Sequence, residues 1–302
     1  MIHTIAAALL STLLAQAPTD ARQNRAPQTD QTVPAARGTR LVIENKAGEI
    51  VVRAWEKDAV RVQARHTSRA KINVRVDASA IRIDAVSDKG PTGSIDYDIN
   101  APAWMPVKIE GQYDYVSVEG IQGEISVETV RGDIVLKNVS SAIAKTIEGA
   151  IEVDGGRGKL TLSSVNEEIK VAGATGEVVA DTTNGEITLT RMEAVAVEVA
   201  TVNGDVVYEG RFADRGHYSF TNHSGDIELV VPENSNVTFT VRAYSGEFTT
   251  ALPLKGPDAS QVRRGRRVSY TLGNGSAQVD VESFGGDIKL RRPGAARTTR
   301  DQ

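Results

Sequence analysis

At 302 residues, 40% hydrophobic and 25% charged with a net charge of −4, the chain has the composition of a folded protein of one large or two modest domains, and nothing global argues for nucleic acid. It has no cysteine, which excludes disulfide and thiol chemistry. After the N-terminus no apolar run of about 20 residues exists to cross a bilayer as a helix. Aromatics are only 5% against 27 glycines, a balance that suits thin stacked β-layers better than a conventional globular core.

In chain order, residues 1–21 are expected to be a secretory signal peptide. Ile5 to Ala15 is apolar but too short to span, and Ala15-Gln16-Ala17 has the small-x-small cleavage pattern. Pro18 disfavours that cut, and cleavage after Ala21 is the alternative. The n-region carries no Lys or Arg, only His3 and the α-amino group, and no Cys follows that could take a lipid. Residues 22–38, rich in Gln, Pro, Thr and Asp, are expected to be a disordered linker, and residues 293–302 a disordered tail. Over 39–116, pairs such as Leu41 and Ile43, Ile50 and Val52, and Ile81 and Ile83 alternate with polar neighbours, which predicts an N-terminal β-region packed against the following array or starting it.

From 117 to 292 a unit repeats: a small residue, two variable residues, Gly, an acid and a β-branched apolar residue. It is seen in Thr129-Val130-Arg131-Gly132-Asp133-Ile134, Thr182-Thr183-Asn184-Gly185-Glu186-Ile187 and Thr201-Val202-Asn203-Gly204-Asp205-Val206. The glycine column comprises Gly132, Gly149, Gly185, Gly204, Gly225, Gly246 and Gly286, with Glu167 standing in it once. From 132 to 246 the steps run 17, 18, 18, 19, 21 and 21. Such periods without helical patterning predict an all-β solenoid whose coils each carry two short strands, and a strand-entry turn with positive φ explains the glycine. The step from 246 to 286 breaks the rhythm. It contains a loop, Pro253 to Arg267, then alternating Val268, Tyr270 and Leu272, the turn Gly273-Asn274-Gly275, and alternating Val279 and Val281; this reads as a C-terminal hairpin cap.

These features resemble the DUF4097 family of bacterial β-strand-repeat proteins, described as adhesins and related to the GIN-domain adhesin heads. The resemblance rests on Val42-Ile43-Glu44-Asn45 with Gly48-Glu49-Ile50, on Pro106-Val107-Lys108-Ile109-Glu110-Gly111, on the serial Gly-acid-Ile units and on Ser283-Phe284-Gly285-Gly286-Asp287-Ile288. It spans about residues 39 to 292 and implies an exported β-solenoid. The family has no agreed activity and no catalytic residues to carry over.

The acid column, Asp133, Glu168, Glu186, Asp205, Asp226, Glu247 and Asp287, could serve as paired carboxylates, as Ca²⁺ ligands, or as acceptors for turn amides. Its regularity favours the third, because an enzyme needs one special constellation and not the same acid on every coil. His66, His217 and His223 lack the convergent partners of a zinc site, and Gly155-Gly156-Arg157-Gly158-Lys159-Leu160 fails the phosphate-loop spacing. No cofactor or metal is expected. Arg263, Arg264, Arg266 and Arg267 form the one candidate ligand site, their guanidinium forks suiting carboxylate or phosphate, or else a solvated loop that discourages edge-to-edge pairing, while Trp55, Trp104, Tyr113 and Tyr115 could stack sugars if exposed or serve in capping or the core. The expected function is a non-catalytic cell-envelope protein of the periplasm or cell surface, a binding or scaffold module whose partner is an envelope polysaccharide or another envelope protein. The alternatives are a carbohydrate-active β-helix enzyme and a self-assembling envelope scaffold.

Overall fold

Short alternating segments, cut every few residues by Gly-acid turns, fold into 26 strands; one 3-10 turn at Ala259–Gln261 is the sole helical element among the described residues. The structure, a computed structural model, describes residues 28–67, 69–262 and 264–294. The first strands are β1 (Thr29–Pro34), β2 (Arg40–Glu44), β3 (Ala47–Trp55), β4 (Ala59–Arg65), β5 (Lys71–Val76), β6 (Ala80–Val86), β7 (Ile95–Pro102), β8 (Val107–Glu110) and β9 (Tyr113–Glu119). The regular array comprises β10 (Ile125–Glu128), β11 (Ile134–Val139), β12 (Ala142–Lys145), β13 (Ile151–Gly156), β14 (Lys159–Ser163), β15 (Ile169–Ala172), β16 (Glu177–Thr182), β17 (Ile187–Met192), β18 (Ala196–Asn203), β19 (Val206–Gly210), β20 (His217–Ser224) and β21 (Ile227–Val230). The chain ends with β22 (Val237–Ala243), β23 (Phe248–Thr250), β24 (Arg267–Leu272), β25 (Ala277–Ser283) and β26 (Ile288–Arg291).

These strands form two sheets of 13, with successive strands alternating between the sheets through the array, so that each coil adds one parallel strand to each. The first sheet runs β1-β4-β7-β3-β9-β11-β13-β15-β17-β19-β21-β26-β23. The second runs β24-β22-β25-β20-β18-β16-β14-β12-β10-β8-β2-β6-β5. The fold is the expected all-β solenoid. The N-terminal strands start the same stack, and the boundary expected at 116 leaves no mark, since β9 crosses it. The signal segment and residues 295–302 lie outside the described residues. Within the segment expected to be a linker, residues 29–34 instead form β1, antiparallel to β4; Val33 is buried on the core, and Pro34 is tolerated because β1 is an edge.

Inward residues stack in register from coil to coil. Ile134, Ile151, Ile169, Ile187, Val206 and Ile227 form one fully buried ladder. Opposite them the second sheet supplies Ala142, Leu160, Val178 and Val197 and then turns aromatic at Tyr218. Where the steps lengthen to 21 residues, the core fills with Tyr208, Phe212, Phe220 and Phe239 in edge and tilted contacts. Longer coils enclose a wider interior, and aromatic side chains fill it at native density. Tyr218 Oη donates to Ala194 O at 2.8 Å and accepts from Ala213 N at 2.8 Å, so its hydroxyl costs nothing in that core.

The hairpin expected over 268–281 does not form. β24 and β25 are separated by β22, which pairs antiparallel with β24 and parallel with β25. The chain leaves β21, skips one position to lay down β22 and β23 as the outermost coil, turns back as antiparallel β24, and then fills the vacant position with β25 and β26. Antiparallel strands close both ends, and the edge strand β23 is only three residues long, which limits edge-to-edge pairing.

Candidate functional site

The repeat builds one corner of the solenoid, where the second sheet hands over to the first. In four successive units the buried small residue satisfies a backbone carbonyl of the coil before it. Thr146 Oγ1 donates to Gly132 O (3.4 Å), Ser164 Oγ to Gly149 O (3.1 Å), Thr182 Oγ1 to Glu167 O (3.2 Å) and Thr201 Oγ1 to Gly185 O (3.2 Å). Each such bond stabilises the fold by about 1 kcal/mol. Positive φ explains the column only at Gly132 (125°) and Gly225 (126°); at Gly204 and Gly286 a Cβ would meet the preceding coil's carbonyl oxygen at 2.0 and 1.7 Å. Close coil approach, more than turn conformation, is what demands glycine.

The acid column engages backbone. Asp133 Oδ1 accepts from Ala150 N (2.9 Å), Asp205 Oδ1 from Asp226 N (2.8 Å), Asp226 Oδ1 from Asp287 N (2.9 Å) and Asp287 Oδ1 from Glu247 N (3.0 Å). The longer acids turn back along their own strand: Glu168 pairs with Lys170 and Glu186 accepts from Thr188 Oγ1 at 2.7 Å. One methylene decides which of these an acid does. Among the described residues no group of three or more His, Cys, Asp or Glu converges as a metal site.

Just outside the buried hydroxyls lies a feature the sequence pattern carried at a position taken as variable. Val130, Ile147, Val165, Val202 and Phe284 occupy the second place of successive units, and all are 37 to 46% exposed. Backbone bonds such as Asn166 N to Ile147 O and Asn184 N to Val165 O hold them in one column. Thr183 and His223 interrupt it, and Tyr244 ends it. Beside it the third place forms a polar ladder, with Asn184 Nδ2 donating to Asn166 Oδ1 (3.1 Å) and Asn203 Nδ2 to Asn184 Oδ1 (2.8 Å). The recurrence of apolar residues directly after the Thr or Ser was the available signal.

The predicted arginines sit at the C-terminal end of this column. Arg264 (φ 55°) and Gly265 (φ 70°) make a tight turn opposite Tyr244, with Gly265 N donating to Ala243 O at 2.9 Å and Arg242 Nε donating to Gly265 O at 3.0 Å. Gly265 packs on the Tyr244 ring. Tyr244 stacks flat on Phe284 (centroids 4.4 Å, 5° between planes), Phe284 lies 5.2 Å from His223, and the Arg242 guanidinium sits 4.7 Å over Tyr244. Arg242 is paired with Glu282, whereas Arg264, Arg266 and Arg267 are exposed with no ion pair to a described residue. Arg263 lies outside the described residues. The structure thus joins two features the sequence left apart: an arginine turn and an aromatic stack.

The other aromatics are not gathered. Trp55 donates to Ala59 O and Trp104 to Asp58 on the opposite corner, while Tyr113 and Tyr115 stand exposed near the first coils. His66 bonds Thr29, and His217 is exposed at the start of β20.

At the N-terminal end of the corner, Asp114 stands in the glycine column fully buried. Asn45 Nδ2 (2.6 Å) and Gln112 N (3.0 Å) donate to it, and a cleft of about 310 Å³ beside it is lined by Glu44, Lys46, Asp84 and Glu110. Burial outweighs these hydrogen bonds and pushes the carboxyl up to about 6. Because the folded-state value exceeds the unfolded one, this group's contribution is greatest below about pH 4 and is lost as pH rises to about 6, a span of about 3 kcal/mol. Urea denaturation across that range should show Asp114→Asn lacking this slope. Parallel curves for the two proteins would refute it.

The molecule is a two-sheet β-solenoid with capped ends and one chemically distinctive corner. A model of the Toastrack DUF4097 family matches residues 38–291, and the chain belongs to that family. Among solved structures it is similar to one described as a "putative cell adhesion protein" from Clostridium sporogenes, at 9% identity and TM-score 0.23, covering 87% of this chain and 99% of that one. A likeness of that size carries no function across. No curated protein matches. No helix among the described residues is long and apolar enough to cross a membrane.

Proposed function

We propose that this protein is an exported, non-catalytic binding module of the cell envelope, adhesin-like in role, whose arginine turn takes an anionic envelope polysaccharide. The observation that carries this is the set of Arg264, Arg266 and Arg267, exposed and without counter-ions among the described residues, mounted at the end of the Tyr244–Phe284–His223 stack. Guanidinium forks bind carboxylate or phosphate groups in bidentate fashion, and an adjacent aromatic face stacks a sugar ring. The acid column supports a non-catalytic reading, since its aspartates are committed to backbone amides of the next coil. Export rests on residues 1–21.

The test is equilibrium binding of purified acidic and neutral envelope glycans to the mature protein and to a variant with Arg263, Arg264, Arg266 and Arg267 changed to Ala. Saturable binding of the acidic glycan, weakened about tenfold or more in the variant and by added salt, is expected. Equal binding by both proteins, or none by either, overturns the proposal.

A further inference from the structure

Three handovers from the second sheet to the first meet at the N-terminal end of the corner: β6 to β7, β2 to β3 and β8 to β9. The last two take two residues each, Asn45-Lys46 and Gly111-Gln112, whereas β6 reaches β7 through the eight residues 87–94. Between the three lies the cleft of about 310 Å³, within the usual size of small-ligand sites, about 300 to 1,000 Å³. The longer connection turns at Gly90 (φ 85°) and Gly93 (φ 78°), where a Cβ would meet nothing within 4 Å, so backbone conformation and not crowding calls for glycine. Thr92, between these turns, is buried in the cleft wall. Behind the wall Asp114 is fully buried, held by Asn45 and Gln112. The Tyr97 hydroxyl is buried too, has no hydrogen-bond partner among the described residues, and lies within electrostatic reach of Asp84 and Asp114. A phenylalanine would fill the same core without an unmet hydroxyl, so packing does not account for the tyrosine.

Of the side chains lining the cleft only Ala85 is apolar, so an apolar ligand has nothing to bury against. Glu44, Asp84 and Glu110 stand against the single Lys46, which disfavours an anion. A cation is not called for either. Asp84 is paired with Arg75 at 2.6 Å and Glu110 with Lys108, Lys46 shares the wall with Glu44, and no metal site converges among the described residues. What the cleft offers is an excess of fixed acceptors, with Lys46 and Thr92 as donors. Sugar hydroxyls carry no charge and both donate and accept, which matches that set. We propose that this cleft is a second ligand site, separate from the arginine turn, that takes a neutral saccharide unit. Glu44, Asp84 and Glu110 accept from its hydroxyls, and Lys46 and Thr92 donate to them.

Calorimetric titration of the mature protein with maltotriose, cellotriose and the trisaccharide of N-acetylglucosamine tests this. At least one should bind saturably, with an affinity that about 0.5 M salt leaves unchanged, because a neutral ligand has no charge to screen. Glu44→Ala with Glu110→Ala should weaken binding about tenfold or more, and Thr92→Val about threefold or more. Glu44 and Glu110 are exposed, so their variant should unfold within a few degrees of the wild type. No binding of any of the three sugars, binding indifferent to both variants, or tighter binding of putrescine than of the sugars overturns the inference. Sugar binding lost in the four-arginine variant and kept in the cleft variants would overturn it as well, by placing the sugar at the arginine turn. The acidic-glycan titration reads the arginines and this one reads the cleft, so either proposal can fail alone.

Discussion

Gly286→Ala is expected to be severely destabilising, by about 3 kcal/mol or more, while its neighbour Gly285→Ala is expected to cost about 1 kcal/mol or less. A Cβ on Gly286 would stand 1.7 Å from Gly225 O and 2.3 Å from its carbonyl carbon, both backbone atoms of the adjacent coil that cannot step aside without separating β21 from β26. At Gly285 the nearest atom is His223 O at 3.0 Å, and a shift of a few tenths of an ångström relieves it. The Gly286 backbone is also tied to Ser283, whose hydroxyl donates to Gly286 O at 2.8 Å and accepts from Gly286 N at 3.1 Å. Urea midpoints for the two variants decide the matter. Equal midpoints would mean that the coils slide apart freely and that close approach is not what selects glycine.

Deleting residues 277–302 should remove order from everything after residue 231, although the deleted segment lies last in the chain. Among the described residues β23 pairs only with β26, and β22 only with β24 and β25, so without β25 and β26 no strand pairing described attaches the outermost coil to the stack. The same deletion uncovers Tyr218 and Phe220, which stack on Val279 and Val281. Those two valines with Ile288 and Leu290 are all at most 1% exposed, and their burial stabilises the fold by about 6 kcal/mol or more. Amide hydrogen exchange should show protection retained through β19 and lost over 237–272. Protection persisting in β22 and β23 would mean that they restack directly on β20 and β21, and the attachment argument would fall.

That second result bears on how much the amino-acid order reveals. Period-two alternation, the Gly-acid turns and their 17 to 21-residue steps are local, and each coil states its own inward and outward faces. The two-sheet stack, the aliphatic ladders and the structural use of the aspartates all follow from that local pattern. The order of the last coils does not. Ala243-Tyr244-Ser245-Gly246-Glu247-Phe248 and Ser283-Phe284-Gly285-Gly286-Asp287-Ile288 carry the same motif, so either can stack on the Gly225 coil. Antiparallel pairing of β24 with β22 settles the choice by sealing one coil as the end, which leaves the other for the middle.

The candidate site divides in the same way. Four arginines in five residues were conspicuous in the sequence, and their place in a loop, Pro253 to Arg267, was readable. Gly265, within that loop, packs on the Tyr244 ring, and Tyr244 stacks on Phe284 from 40 residues further along the chain only because the inserted coil brings Phe284 beside it. Glu44, Glu110, Glu128 and Lys145 are likewise scattered along the chain and come side by side on adjacent strands through register alone. Local chemistry selects strand, turn and face within a coil, because those depend on a few neighbouring residues. Which coils touch, and therefore which charges and rings share a surface, depends on pairing between segments far apart in sequence, and identical motifs cannot encode it.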